Sequence, residues 1–98
     1  MNEIFEKTSE LCNILKANYE ARHGGNDYQY EITQGKKYFK IVQVSNQRSV
    51  HAFVDRSNGD IYKAATWNAP AKGVRFNILK DLETLRSRAD CFGGYLYR

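Results

Sequence analysis

A chain of 98 residues, 42% hydrophobic and 27% charged, is expected to form one soluble globular domain over residues 1–98, because a second core would not fit. No run of about 18 apolar residues is present, and the first residues, MNEIFEKTSELCNIL, lack the basic start of a secretory signal, which excludes a membrane-spanning helix and export by this route. The net charge of +4 favours an anionic partner.

The chain begins with a predicted amphipathic helix over residues 2–21. Apolar side chains recur at helical spacing from Ile4 to Tyr19 and form a single stripe. The segment HGGND at 23–27 is expected to end the helix, because either of its glycines can adopt the left-handed conformation that closes a helix.

Four short strands are predicted next, from alternating or β-branched segments separated by turns. The dipeptide Asn58-Gly59 between two of these segments is a strong hairpin signal. Connections this short make neighbouring strands antiparallel, so we expect a meander sheet. The predicted strands cover residues 28–33, 38–45, 50–55 and 61–65.

A second helix is predicted over residues 77–88, with Asn77 as its cap. Gly93 and Gly94 then interrupt the chain, and residues 95–98 form either a terminal strand or a tail. The apolar side of this helix would consist of Ile78, Leu79, Leu82 and Leu85. The fold class is therefore α+β: an N-terminal helix, a four-stranded antiparallel meander sheet and a C-terminal helix, with the helices on one sheet face.

No catalytic or metal-binding pattern is found in the sequence. His51 and Asp55 share a strand, where four positions separate them by about 13 Å on one face, too far for a hydrogen bond. Cys12 and Cys91 are too few for a disulfide scaffold, so we expect two reduced thiols in a cytoplasmic protein, with a single bridge as the alternative. We expect no enzyme activity, no metal and no cofactor.

The middle of the chain is strongly basic. Residues 32–80 contain nine basic and two acidic side chains, a net charge of +7. This pattern favours nucleic acid, a nucleotide or an acidic protein surface as the partner; the alternative is a solvated sheet in which lysines discourage edge pairing.

The loop KAATWNAPAKGVRFN at 63–77 is the first candidate site. Trp67 can stack on a base, and Lys72 and Arg75 can hold phosphates beside Gly73. The alternative is structural, with Trp67 and Phe76 packed into a small core. The full set of candidate ligand contacts is Lys63, Trp67, Lys72, Gly73 and Arg75.

The sheet surface is a second candidate, because aromatic and basic residues interleave on its first two strands, as they do on some RNA-binding sheets. The alternative is that one set of these aromatics forms the core. The residues concerned are Tyr28, Tyr30, Lys37, Tyr38, Phe39 and Lys40.

The segment SVHAFVDRSNGDIYKAATWNAPAKGVRFNIL at 49–79 resembles small proteins encoded by tailed bacteriophages. The matching positions are Phe53, Val54, Asp55, Gly59, Asp60, Tyr62, Lys63, Trp67, Ala69, Pro70, Ala71, Lys72, Gly73 and Arg75. The resemblance covers about a third of the chain. It implies a phage origin and the host cytoplasm as location, and it favours binding over catalysis.

Two functions follow from these observations. The first is a phage accessory protein that binds nucleic acid or a nucleotide through the basic middle and the Trp67 loop. The second is an inhibitor or anti-defence factor that binds a host protein without catalysis. A virion structural role is a weaker third. A homodimer is compatible with each, because a sheet covered on one face leaves its other face available.

Overall fold

The computed structural model describes residues 3–23, 28–91 and 93–96. It is an α+β structure with an N-terminal helix, one antiparallel sheet and a C-terminal helix. The elements are α1 (Glu3–His23), β1 (Gln29–Gln34), β2 (Tyr38–Val44), β3 (Arg48–Asp55), β4 (Asp60–Lys63), β5 (Phe76–Asn77), α2 (Leu82–Arg88) and a 3₁₀ turn (Gly94–Leu96). The glycines predicted to end α1 lie outside the described residues.

The sheet has five strands in the order β1-β2-β3-β4-β5, so the prediction of a meander is confirmed and the count of four is wrong. The turn at Asn58-Gly59 joins β3 to β4 as predicted: Gly59 has φ +86°, and a Cβ there would lie 2.9 Å from Ile78 Cγ2. The missed strand is β5, whose two residues pair with Asp60 and Ile61.

The second helix begins at Leu82, five residues later than predicted. Asn77 belongs to β5, and its side-chain oxygen accepts hydrogen bonds from the backbone N–H groups of Leu79 and Lys80, at 2.9 and 3.1 Å. Asn77 therefore caps a turn rather than the helix. Leu79, predicted on the apolar side, lies in this turn and is 41% exposed. Residues 95 and 96 of the tail belong to the 3₁₀ turn rather than to a strand, and residues 97–98 lie outside the described residues.

Both helices and the C-terminal turn cover the same face of the sheet. Apolar side chains of α1 and α2 pack there against alternating residues of the five strands, and this helix-covered face holds the hydrophobic core. The central strands contribute Phe39, Ile41 and Val54, each with no exposed surface. Cys12 and Cys91 are both buried, free thiols, and burial raises the pKa of the Cys12 thiol to about 12.

A bulge in β3 changes the direction of His51. Ile41 pairs with Ala52 and Val42 with Val50, so His51 is the extra residue between them. The ring consequently lies on the helix-covered face, where one nitrogen is 2.7 Å from the Tyr95 hydroxyl. The expectation that His51 and Asp55 share a face is wrong, because the bulge interrupts the alternation of side chains.

Candidate nucleic-acid interface

The sheet face opposite the helices, called the open face below, carries a cluster of aromatic rings. Tyr38 on β2, Phe53 on β3 and Tyr62 on β4 point to this face. Phe53 and Tyr62 are cross-strand partners, and residues paired in this way point to the same face of a sheet. The ring of Tyr38 meets both others edge to face, with centroids 5.7 Å from Phe53 and 5.9 Å from Tyr62. Phe53 is 2% exposed, whereas the two tyrosines are half-buried, so the cluster has a packed centre and accessible flanks.

Trp67 extends this cluster from the loop after β4. Its side chain is 44% exposed, and the Lys40 ammonium lies 4.7 Å from the ring centroid, within cation–π range. Lys40 also lies 6.0 Å from the centroid of Phe53, its partner on β3. The structural alternative for the loop is therefore wrong for Trp67, and it holds for Phe76, which is buried in the core.

A short extension of the β4 hairpin positions Trp67. Ala64 bridges to Pro70, and the carbonyl of Ala69 accepts hydrogen bonds from the backbone N–H groups of Ala65 and Thr66 at 3.0 and 3.1 Å. These bonds close a tight loop with Trp67 near its tip. Pro70 fixes φ where the loop returns, which limits the conformations that the tip can adopt.

Three lysines border a concavity next to the aromatic cluster. Lys36 and Lys37 lie in the β1–β2 turn, and Lys40 follows on β2. None of the three forms an ion pair with another described residue. The concavity measures about 240 Å³ and is lined by Thr33, Gly35, Lys36, Lys37, Tyr38, Lys40, Phe53 and Asn68. It combines ring edges with positive charge.

The two arginines of this region have intramolecular partners. Arg48 Nη2 lies 3.0 Å from the Glu31 carboxylate across the sheet. Arg56 donates hydrogen bonds to the carbonyls of Gly35 and Lys36, and its guanidinium lies 5.4 Å from the Phe39 ring centroid. The positive charge that the open face offers to a ligand therefore comes from the lysines.

The second half of the predicted loop site has a structural role. Arg75 Nε donates a 2.7 Å hydrogen bond to the carbonyl of Leu96, and Nη1 donates to the carbonyls of Lys72 and Gly73 at 3.3 and 3.0 Å. Gly73 has φ +96°, and a Cβ there would lie 2.8 Å from Arg75 Nη1. Arg75 thus ties the loop to the C-terminal turn, while Lys72 is exposed.

Lys63 lies on the other side of the sheet from Trp67. It pairs with Ala52, whose side chain belongs to the helix-covered core, and alternation along β4 separates it from Tyr62. It lines a cleft of about 190 Å³ together with His51, Cys91 and Leu96. Burial lowers the pKa of His51 to about 4, so the ring is neutral at physiological pH. The five predicted contacts therefore occupy three places rather than one site.

Phe53 and Tyr62 belong to the open-face cluster but not to the contacts predicted from sequence. Of the predicted sheet residues, Tyr38, Lys37 and Lys40 lie at this face or its border, whereas Phe39 is part of the core and Tyr30 packs against it. The signal that identifies Phe53 and Tyr62 is the cross-strand register, which follows from the Asn58-Gly59 turn once its length is known.

Within the described ranges, no group of three or more His, Cys, Asp or Glu residues is arranged to hold a metal ion. Among the same residues, no helix has the length and apolar character needed to cross a membrane.

A model of a protein family, described as a family of unknown function (DUF7717), matches residues 1–98. The chain therefore belongs to this family. No curated protein and no solved structure matches the chain.

Proposed function

We propose that this member of the DUF7717 family is a small accessory protein that binds single-stranded nucleic acid on the open face. The observation that carries the proposal is the half-exposed Trp67 ring with Lys40 beside it. This ring lies next to an aromatic cluster bordered by lysines that form no ion pair with another described residue. Unpaired bases stack on exposed aromatic rings, and lysines neutralise the phosphates between them.

The accessible rings of the open face favour an unpaired strand over a duplex. In a duplex the base faces are already stacked, so Trp67 and the two half-buried tyrosines would have no ring surface to contact. A single strand can present its bases to Trp67 and Tyr38 while its backbone follows Lys36 and Lys37. This binding involves no catalytic step and no cofactor, and it belongs to the cytoplasm of a host cell if the resemblance of residues 49–79 reflects a phage origin.

The test is a fluorescence titration of Trp67, the only tryptophan, with a poly-dT oligonucleotide at several salt concentrations. We expect quenching, with affinity that falls steeply as salt rises. Replacing Lys36 and Lys37 together by alanine is expected to weaken binding several-fold and to reduce the slope of log K against log salt by about 1.4, since each phosphate contact contributes about 0.7 for single strands.

The matched control is the double variant Lys72→Ala with Lys80→Ala. It removes the same charge from exposed positions outside the lysine-bordered concavity, and Lys72 belongs to the loop site predicted from sequence. We expect its affinity to stay within twofold of the wild type once measured at about 150 mM salt, where charges more than about 8 Å apart are screened. Equal losses in both double variants would contradict a site at the open face.

A host protein with an acidic surface is the second candidate, and the resemblance to phage proteins is what favours it. The same lysines would contact carboxylates, and the protein would act as an inhibitor or anti-defence factor without catalysis. This candidate requires that poly-dT leave the Trp67 emission unchanged. It also requires that the wild type retain one protein from a host lysate, and that the variant with Lys36 and Lys37 replaced by alanine no longer retain it. Quenching by mononucleotides alone would instead indicate a small-ligand pocket.

A further inference from the structure

The two edges of the sheet differ in how they are protected from pairing with another strand. At one edge, β5 has two residues and leads through a turn into α2, so it offers little backbone to a partner. At the other edge, β1 has six residues with no proline, no lysine and no bulge. The lysines expected to discourage edge pairing lie on β2 and in the turn instead. Among the described strands, β1 pairs only with β2.

From this difference we infer that β1 is a dimerisation edge, at which β1 of a second copy pairs antiparallel and continues the sheet across a two-fold axis. Two residues that lie directly opposite in a sheet point to the same face. A two-fold axis perpendicular to the sheet therefore allows only registers in which paired residue numbers differ by an even number.

Two of these registers pair five residues of each strand. One places Glu31 opposite Glu31 of the partner subunit, which sets like charges against each other. The other centres on Ile32: Ile32 faces its own copy, Glu31 faces the partner's Thr33 and Tyr30 faces the partner's Gln34. Charge thus selects the second register.

The selected register also completes the burial of side chains at the edge. Tyr30 and Ile32 are only partly buried, although both pack against the core. In the dimer, Ile32 gains an apolar neighbour on the helix-covered face. Five paired residues make a small interface, so the dimer is expected to dissociate on dilution.

The pairing has a consequence for the open face, and this consequence rests on the proposed function. A two-fold axis perpendicular to the sheet leaves both open faces on the same side, which joins them into one surface. A strand long enough to contact both would bind with added strength, because the second contact is intramolecular. The dimer itself does not depend on the nucleic-acid proposal, and its test contains no nucleic acid.

The test is sedimentation equilibrium of the full chain over a range of concentrations, with two substitutions of the exposed Thr33. Thr33→Glu faces the partner's Glu31 twice in the dimer and is expected to raise the dissociation constant about five- to tenfold. Thr33→Lys forms two opposite-charge pairs there and is expected to lower it about fivefold. Within one protomer, Thr33 lies opposite Lys40, so Thr33→Glu forms an opposite-charge pair there and Thr33→Lys a like-charge pair. Urea denaturation of both variants separates this effect on the fold from the effect on the dimer.

The expected wild-type result is a concentration-dependent mass that approaches twice 11.3 kDa. A constant mass of one chain up to millimolar concentration would overturn the inference. A dimer whose dissociation constant responds to neither substitution, or in the same direction to both, would overturn the β1 register. Loss of poly-dT binding with the dimer intact would overturn the proposed function and leave this inference standing.

Discussion

The helix-covered face and the open face of this sheet are built from the same strands, yet their side chains serve different purposes. On the first, alternate residues such as Ile41 and Val54 have no exposed surface, and they pack beneath α1 and α2. On the second, the intervening residues leave Tyr38, Tyr62 and Trp67 partly accessible beside lysines. Burial and charge compete at any one position, and the period of two in a strand separates them onto opposite faces of the sheet.

The two faces also differ in how they hold polar side chains. On the helix-covered face, a ring nitrogen of the half-buried His51 lies 2.7 Å from the Tyr95 hydroxyl, and desolvation lowers the pKa of the ring to about 4, which keeps it neutral. On the open face, the Lys40 ammonium lies 4.7 Å from the ring centroid of Trp67 and 6.0 Å from that of Phe53. Substitutions on the helix-covered face should therefore change mainly the free energy of unfolding, and substitutions on the open face mainly the affinity for nucleic acid.

The largest effect on stability is expected on the helix-covered face. Ile41→Ala removes three buried carbon atoms from a side chain with no exposed surface, and we expect it to lower the free energy of unfolding by about 3–4 kcal/mol. Urea denaturation measures this loss. A decrease below about 1 kcal/mol would mean that this core is loosely packed and that the contrast between the faces is smaller than described.

The second effect is a dependence of stability on pH that arises from His51. Its pKa is about 4 in the fold and 6.5 as an unperturbed side chain, so the unfolded chain binds the extra proton. His51 therefore contributes stability that is fully present above pH 6.5 and is lost as pH falls towards 4, by roughly 2–3 kcal/mol. Denaturation at pH 7, 5.5 and 4.5 measures it.

The control for this prediction is His51→Gln, which keeps a hydrogen-bonding side chain for Tyr95 and does not titrate. Its stability should change less than that of the wild type between pH 7 and 4.5. If both proteins lose the same free energy over that range, His51 is not the group responsible.

The smallest effect on stability is expected at Trp67. Its ring is 44% exposed and lies at the tip of a loop closed by backbone hydrogen bonds, so Trp67→Ala should change the free energy of unfolding by less than about 0.5 kcal/mol. The same variant should weaken poly-dT binding by about 1–3 kcal/mol, measured by anisotropy of a labelled oligonucleotide. Trp67→Phe, which keeps a stacking ring, should retain most of the affinity. A large loss of stability would place Trp67 among the core residues instead.

Local patterns in the sequence predicted most of the elements of the fold. The helical spacing from Ile4 to Tyr19 predicts α1, and the Asn58-Gly59 dipeptide predicts the β3–β4 hairpin. Both predictions are confirmed, because both elements depend on residues close in the chain. β5 was missed because two residues carry no periodicity, and it exists only through its pairing with β4. The α2 boundary was missed because Asn77 can cap a turn as readily as a helix.

The fold class, the basic middle of the chain and the interleaving of aromatic and basic residues on β2 can all be predicted from the sequence alone. Which of these residues share a surface depends on the tertiary structure. In the folded chain, Trp67 lies beside Lys40, whereas Lys63 lies on the opposite face of the sheet. Arg75 donates a hydrogen bond to the carbonyl of Leu96. The physical reason is that strand register, a single bulge and the return path of a loop set the neighbours of each side chain, and all three depend on residues distant in the sequence.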